Sequence, residues 1–300
     1  MSRSKLFKNI LQKNSFLCIG LDTDKDKIPS FLLEYDDPIF EFNKRIIDAT
    51  KDLCVAYKPN IAFYEAEGID GWKSLQKTID YIPDDILVIA DAKRGDIGNT
   101  SERYAKAFFD KMNCGAITVA PYMGVDSVTP FYNYPNKWVI ILGLTSNKGS
   151  NDFQMIMDVH QQQLYKTVLQ KASHWGTPDD TMFVIGATHP EKFKEIRELL
   201  PKHFFLVPGV GAQGGALKEV AKYGMNDEIG LLVNVSRAIL YAGSDEEFDI
   251  EARVKAMSLQ KEMEELMYSA MMGGADDFME DIDIDGLDID GEINFDIDLD

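Results

Sequence analysis

Ile86-Leu87-Val88-Ile89-Ala90-Asp91-Ala92-Lys93-Arg94-Gly95-Asp96-Ile97-Gly98-Asn99-Thr100 is the stretch on which the fold turns. Its first five residues are apolar without interruption, the pattern of a strand buried on both faces of a parallel sheet. Four charged residues and two glycines then break the run, and helical periodicity follows over Thr100 to Met112. A buried strand that ends in charge and feeds a helix is one βα unit.

Working outward, seven more runs of the same kind appear: Phe16 to Leu21, Cys54 to Lys58, Ala116 to Val119, Trp138 to Leu142, Met182 to Ile185, Phe204 to Val207 and Leu231 to Val235. Helical patterns lie between them, among others over Ile39 to Asp52, Val159 to Ser173 and Glu191 to Leu200. Eight units predict a closed (β/α)8 TIM barrel rather than an open doubly wound sheet. A barrel of about 250 residues uses most of the 300, and 45% hydrophobic content is enough for one such core. The barrel domain is therefore placed over 1–272 and a separate acidic tail over 273–300.

The formal charge of −19 is uneven, because twelve of the fifty acids fall in residues 270 to 300, where there is no Lys or Arg. The other thirty-eight acids face thirty-one basic residues, so the body carries only −7. No basic cluster is present to neutralise phosphates, which argues against nucleic acid as a partner. Cys18, Cys54 and Cys114 have no CxxC spacing and sit in or beside apolar runs, as small buried residues of a reducing compartment do. His160, His174, His189 and His203 are scattered without ligand spacing and read as ordinary helix or loop residues. Arg3, Lys5, Lys8 and Lys13, with no acid before Asp22, have the charge of a transit peptide. The run Phe16 to Leu21 is required as the first strand, however, and no run is long enough to span a bilayer. The expected location is the cytoplasm.

Barrel enzymes carry their chemistry on the loops after the strands. Asp22, Lys58, Asp91 with Lys93, Thr145 with Ser146, Gly209 to Gly215, and Ser236 with Arg237 all fall at or after strand ends, so they should converge on one rim. Asp91 and Lys93, two apart in extended chain, share one face. A lysine flanked by carboxylates stays protonated and can donate a proton. Lys58, from the neighbouring strand, would make the array alternate in sign, so that no charge is buried unpaired. Taken singly, each of these residues also fits a structural salt bridge at the barrel mouth.

Together the motifs carry a resemblance. Asp91-x-Lys93-x-x-Asp96-Ile97-Gly98-Asn99-Thr100, with Leu21-Asp22 and Tyr57-Lys58-Pro59-Asn60 upstream and Pro208-Gly209-Val210-Gly211-Ala212-Gln213-Gly214-Gly215 downstream, resembles the orotidine 5'-phosphate decarboxylases, in order from about Phe16 to Tyr241. The branch with slightly longer chains, which carries the Lys-Pro-Asn and Pro-Gly-Val-Gly-Ala-Gln segments, is the most similar. The resemblance implies loss of CO2 from C6 of the orotate ring to give uridine 5'-phosphate, with no metal or organic cofactor. It places Lys58, Asp91, Lys93 and Asp96 in the catalytic tetrad, with Lys93 protonating the C6 carbanion. Asp22 would bind the ribose and Asn60 support the site, while Thr145 or Ser146 would read the pyrimidine edge. Gly211, Gln213, Ser236 and Arg237 would grip the phosphate. It also implies a homodimer in which Asp96 and Thr100 reach the partner's site.

Two other enzyme readings compete. Sugar-phosphate barrels, the 3-keto-gulonate 6-phosphate decarboxylases and hexulose phosphate synthases, share Asp-x-Lys-x-x-Asp but use Mg2+ and end the second strand in a metal-binding glutamate. Lys58 stands there instead and would repel the ion. A Schiff-base aldolase needs a neutral amine, which two carboxylates beside Lys93 oppose. A third reading, from another class, is a catalytically idle barrel that serves as a scaffold for the tail.

After Gly273-Gly274 the chain alternates Asp with Ile, Leu or Phe. Asp281-x-Asp283-x-Asp285-Gly286-x5-Glu292 fits an EF-hand calcium loop formally. Aspartate on every second residue generates such matches readily, Asp288 stands where an apolar residue is usual, and no helical pattern follows. The segment reads as an interaction or solubilising tail, or as a solvated extension without a partner, and the sequence names no partner for it.

Overall fold

The computed structural model describes residues 1–188, 190–210 and 217–272. The eight apolar runs are eight parallel strands: β1 (Leu17–Leu21), β2 (Ala56–Pro59), β3 (Leu87–Arg94), β4 (Ala116–Val119), β5 (Trp138–Leu144), β6 (Thr181–Ile185), β7 (Phe204–Pro208) and β8 (Leu231–Val235). Each pairs with the next, and β8 returns to β1 through Leu17 beside Val233 and Ile19 beside Val235, so the barrel is closed. The (β/α)8 expectation stands. Closure pairs every strand on both edges, which is why these short segments tolerate complete burial of their peptide groups.

Helices cover the outside, among them Pro38–Thr50, Gly68–Tyr81, Leu164–Ala172, Pro190–Leu199 and Leu217–Gly224. Asp37 opens the first of these by accepting the Phe40 N–H at 3.1 Å, with Pro38 at the position where a missing donor costs nothing. The helix expected over Thr100 to Met112 begins earlier, as Gly98–Ala105, and widens to a π-helix over Lys106–Lys111 in which the adjacent Phe108 and Phe109 are both buried.

The helix expected over Val159 to Ser173 is a correction, because it begins only at Leu164. Asp158 Oδ1 accepts the N–H groups of His160 at 2.8 Å and Gln162 at 2.9 Å, and Gln161 sits at φ 61°. An aspartate that satisfies its own backbone in a turn competes with helix formation, and here the turn wins.

The basic N-terminal segment is a helix, Arg3–Lys13, laid across the N-terminal mouth of the barrel. Leu6 and Ile10 are fully buried beneath it. Arg3 donates to the carbonyls of Pro178 and Lys202 and pairs with Glu228, while Lys13 donates to the carbonyls of Lys51 and Cys54. The charges that resemble a targeting signal thus bind the loops that lead into β2, β6, β7 and β8. At the other end of the chain, Phe248–Met272 packs on Pro38–Thr50 through Phe248 stacked on Phe42 at 4.9 Å, with Arg253 paired to Asp52.

The three cysteines are buried and free, and burial pushes the Cys54 and Cys114 thiols up to about 12. His203 is not an ordinary loop residue. It is buried against Phe183, neither ring nitrogen has a hydrogen-bond partner among the described residues, and burial lowers it to about 4, so it is neutral at physiological pH. His160 and His174 lie in exposed turns, and His189 falls outside the described residues. Among the described residues no helix is long and apolar enough to cross a membrane.

Candidate active site

The C-terminal ends of the strands bring most of the expected residues together. A cavity of ≈ 230 Å³ is lined by Asp22 after β1, Lys58 and Asn60 at the end of β2, Asp91 on β3, Ser146 after β5, Pro208 to Val210 at the end of β7, and Asn234 to Ala238 from β8 onward.

At its centre is Asp91. Its Oδ2 accepts Lys58 Nζ at 2.9 Å, and its Oδ1 accepts Lys93 Nζ at 2.6 Å and the Thr118 hydroxyl at 3.0 Å. Lys58 is buried and lines the cavity, whereas the Lys93 side chain is half exposed and meets the cavity only through its ion pair with Asp91. Burial alone would favour the neutral acid at Asp91, but the charges of Lys58 and Lys93 and their hydrogen bonds outweigh it and hold the carboxyl well below the usual range. Burial likewise favours a neutral Lys58, and the carboxylates of Asp91 and Asp22 outweigh that and raise the amine above its ordinary value. Both groups are therefore ionised at neutral pH.

The expectation that Asp91 and Lys93 share a face of regular strand needs correction. The β3–β4 ladder pairs Ala90 with Ile117 and then Arg94 with Val119, so three residues of β3 stand opposite Thr118 alone. Lys93 adopts φ 49°, in the left-handed region. A bulge and one left-handed residue re-aim the two charges toward each other.

Other residues are set by close approach. A Cβ on Gly20 would fall 1.9 Å from Ser236 Oγ, so only glycine lets β1 pass this loop. Asn60 caps the helix Ile61–Glu65 while its backbone bridges to Asp91. Asp22 Oδ1 is buried and has no hydrogen-bond partner among the described residues, an arrangement that favours a ligand donor at that point. Ser146 lines the cavity, whereas the Thr145 hydroxyl accepts Gln154 Nε2 at 2.8 Å and donates to Asn147 Oδ1 at 2.6 Å. Ser236 and the exposed Arg237 stand at the start of the short helix Arg237–Leu240 on the cavity wall.

Asp96 and Thr100 do not line the cavity. Asp96 Oδ1 accepts the Ile97 N–H at 2.8 Å, and Thr100 is exposed on the first turn of Gly98–Ala105. Gly211 and Gln213 lie outside the described residues, as does the whole acidic segment with its formal calcium-loop match. Among the described residues, no group of three or more His, Cys, Asp or Glu side chains could hold a metal ion.

Sequence reasoning passed over Thr118, Asn234 and Gly20. Thr118 and Asn234 sit inside apolar strand runs, where a single polar residue carries no local signal. The polar atoms of Asn234, which accepts from Cys18 and donates to Ser236 Oγ at 3.2 Å, are visible only once β1 and β8 are paired.

Comparison with known proteins agrees with this geometry. The profile described as "Orotidine 5'-phosphate decarboxylase / HUMPS family" matches residues 15–251. A protein of Parabacteroides distasonis named orotidine 5'-phosphate decarboxylase is 58% identical over 266 residues, which cover 88% of this chain and 95% of the relative. One of the same name from Phocaeicola vulgatus is 55% identical over 270 residues, covering 89% of this chain and 99% of the relative. Among solved structures, the OMP decarboxylase of Leishmania donovani superposes with a TM-score of 0.77 at 37% identity, over 89% of this chain and 99% of that one.

Proposed function

Because this chain belongs to the orotidine 5'-phosphate decarboxylase / HUMPS family, we propose that it converts orotidine 5'-phosphate to uridine 5'-phosphate without a cofactor, with Lys93 as the proton donor. The observation that carries the reading is the Lys58–Asp91–Lys93 array, in which Lys58 and Asp91 line the cavity and Lys93 is ion-paired to Asp91. Decarboxylation at a vinylic carbon leaves an electron pair with no sink, so the barrier must be lowered by charge fixed in advance. The C6–carboxyl bond breaks, its electron pair stays on C6, CO2 departs, and a Lys93 Nζ proton is delivered to C6. The resulting amine regains its proton from water, to which Lys93 is open. Asp91 stays ionised beside the substrate carboxylate, and loss of CO2 removes that like-charge contact.

Binding energy remote from C6 drives this step. The unpartnered Asp22 Oδ1 is suited to a ribose hydroxyl, Ser146 to the pyrimidine edge, and Ser236 with Arg237 to the phosphate, joined by Gly211 and Gln213. Asn60 supports the second strand end. Lys58 bears on the Mg2+-dependent alternative. Oδ2 of Asp91 is engaged by Lys58 and Oδ1 by Lys93 and Thr118, which leaves the carboxylate poorly placed to ligate a divalent ion.

In EDTA, the purified chain and a version ending at Met272 are both expected to consume orotidine 5'-phosphate, followed by the loss of ultraviolet absorbance, with kcat values within about twofold of each other. The acidic segment 273–300 lies outside this catalytic unit. Turnover restored only by Mg2+ would transfer the chain to the sugar-phosphate branch.

The reading extends to a homodimer of the cytoplasm in which Asp96 and Thr100 complete the partner's site. Ile97, Tyr122, Met123 and Val125 are 55, 87, 49 and 46% exposed on the neighbouring loops after β3 and β4, beside those two residues. An apolar group of this size at a site rim is suited to a second copy. Sedimentation of the full chain should give twice the chain mass of 33.8 kDa; a monomer at micromolar concentration under turnover conditions would remove the shared-site assignment.

A further inference from the structure

We propose that Thr118 is a positioning residue for the decarboxylation, holding Asp91 and Lys93 in register through one hydroxyl. The inference rests on the proposed role of Lys93 and adds a residue to it.

Thr118 is fully buried on β4, directly opposite the three β3 residues between Ala90 and Arg94 where the ladder bulges. A bulge strips backbone groups of their ladder partners, and one of those here is the Lys93 N–H. Thr118 Oγ1 accepts that N–H at 2.9 Å and donates its own proton to Asp91 Oδ1 at 3.0 Å. The same Oδ1 accepts Lys93 Nζ at 2.6 Å. A closed circuit results: Lys93 backbone to Thr118, Thr118 to Asp91, Asp91 to the Lys93 ammonium.

The circuit answers two physical needs. Lys93 is a non-glycine residue at φ 49°, a conformation that persists only where surrounding bonds over-determine it. The Asp91 carboxylate must also present a fixed oxygen to Lys93, or the ammonium swings with its flexible stem. A hydroxyl is the smallest group that can accept from an amide and donate to a carboxylate at once. Valine has the same shape and can do neither.

Thr118→Val is expected to lower kcat by up to about 10²-fold, the scale set by small misplacement of a reacting group, with KM for orotidine 5'-phosphate changed less than about threefold. Such a split is read as loss of an interaction that matters only in the transition state. Thr118→Ser keeps the hydroxyl and should recover kcat to within about fivefold of the parent. Loss of the donor to Asp91 should also move the acid limb of the kcat profile to higher pH in the valine variant and not in the serine variant. The parent chain is assayed first. If it does not turn over orotidine 5'-phosphate, the reading of Lys93 fails and Thr118 is not at issue. If the parent is active and the valine variant matches it, or the serine variant falls as far as the valine variant, the positioning role is refuted. If Thr118→Val does not fold, the decision rests on Thr118→Ser and Thr118→Cys: parental kcat in the serine variant with a large loss in the cysteine variant supports the role, and equal kcat in both refutes it.

Discussion

Lys93→Ala is expected to lower kcat for orotidine 5'-phosphate by on the order of 10⁵-fold, the combined scale of a lost proton donor and a lost fixed charge. The chain should nevertheless fold as before. Lys93 is half exposed, so its ion pair with Asp91 belongs to the class that contributes about 0–1 kcal/mol. Asp91 keeps Lys58 at 2.9 Å and the Thr118 hydroxyl at 3.0 Å, so its charge is not stranded. Alanine pays the same steric penalty as lysine at φ 49°, which leaves the backbone term unchanged. The measurement is a pair: loss of ultraviolet absorbance in EDTA, and the thermal midpoint. Turnover within tenfold of the parent would take Lys93 out of the chemistry, and a collapsed midpoint would make its role structural.

Lys58→Met should behave in the opposite way and show first in stability. Both partners of the Lys58–Asp91 pair are largely buried, with side chains 6 and 12% exposed. Removing one partner of such a pair leaves a charge in a poor solvent and costs about 3–5 kcal/mol; Lys93 and Thr118 remain as partial compensation and favour the lower end.

The pH dependence of that loss follows from the two shifts. Asp91 is depressed below its ordinary 3.8 in the folded chain, so its contribution is present above that pH and is lost as the pH falls through the folded value. Lys58 is raised above its ordinary 10.5, so its contribution is present below that pH and is lost as the pH rises through the folded value. The gap between parent and variant in urea unfolding should therefore be widest between about pH 4 and 10 and narrow on both sides. A gap under about 1 kcal/mol at pH 7, or one that does not change with pH, would show that the pair is not held as described.

The two experiments separate functions that the sequence presents as equivalent. Lys58 and Lys93 are both lysines at strand ends next to one aspartate. Burial divides them, so that one mainly maintains the array and the other is accessible to a ligand and to water.

The order of the eight strands, the closed barrel and the convergence of Asp22, Lys58, Asp91, Ser146 and Arg237 were legible in the sequence. They rest on patterns carried by neighbouring residues: apolar runs of strand length, polar punctuation where they end, and helical periodicity between them. The tertiary structure decided what depends on two strands meeting. Thr118 lies 25 residues from the Lys93 amide and 27 from the Asp91 carboxylate it joins, and only the register of β3 on β4 brings them together. The bulge at Asp91 to Lys93, the close passage of Gly20 by Ser236, the capture of Thr145 by Gln154 and the helix across the barrel mouth have the same origin. Each is a hydrogen bond or a steric limit between segments whose separate patterns say nothing of one another, and its partner exists only after the chain has closed.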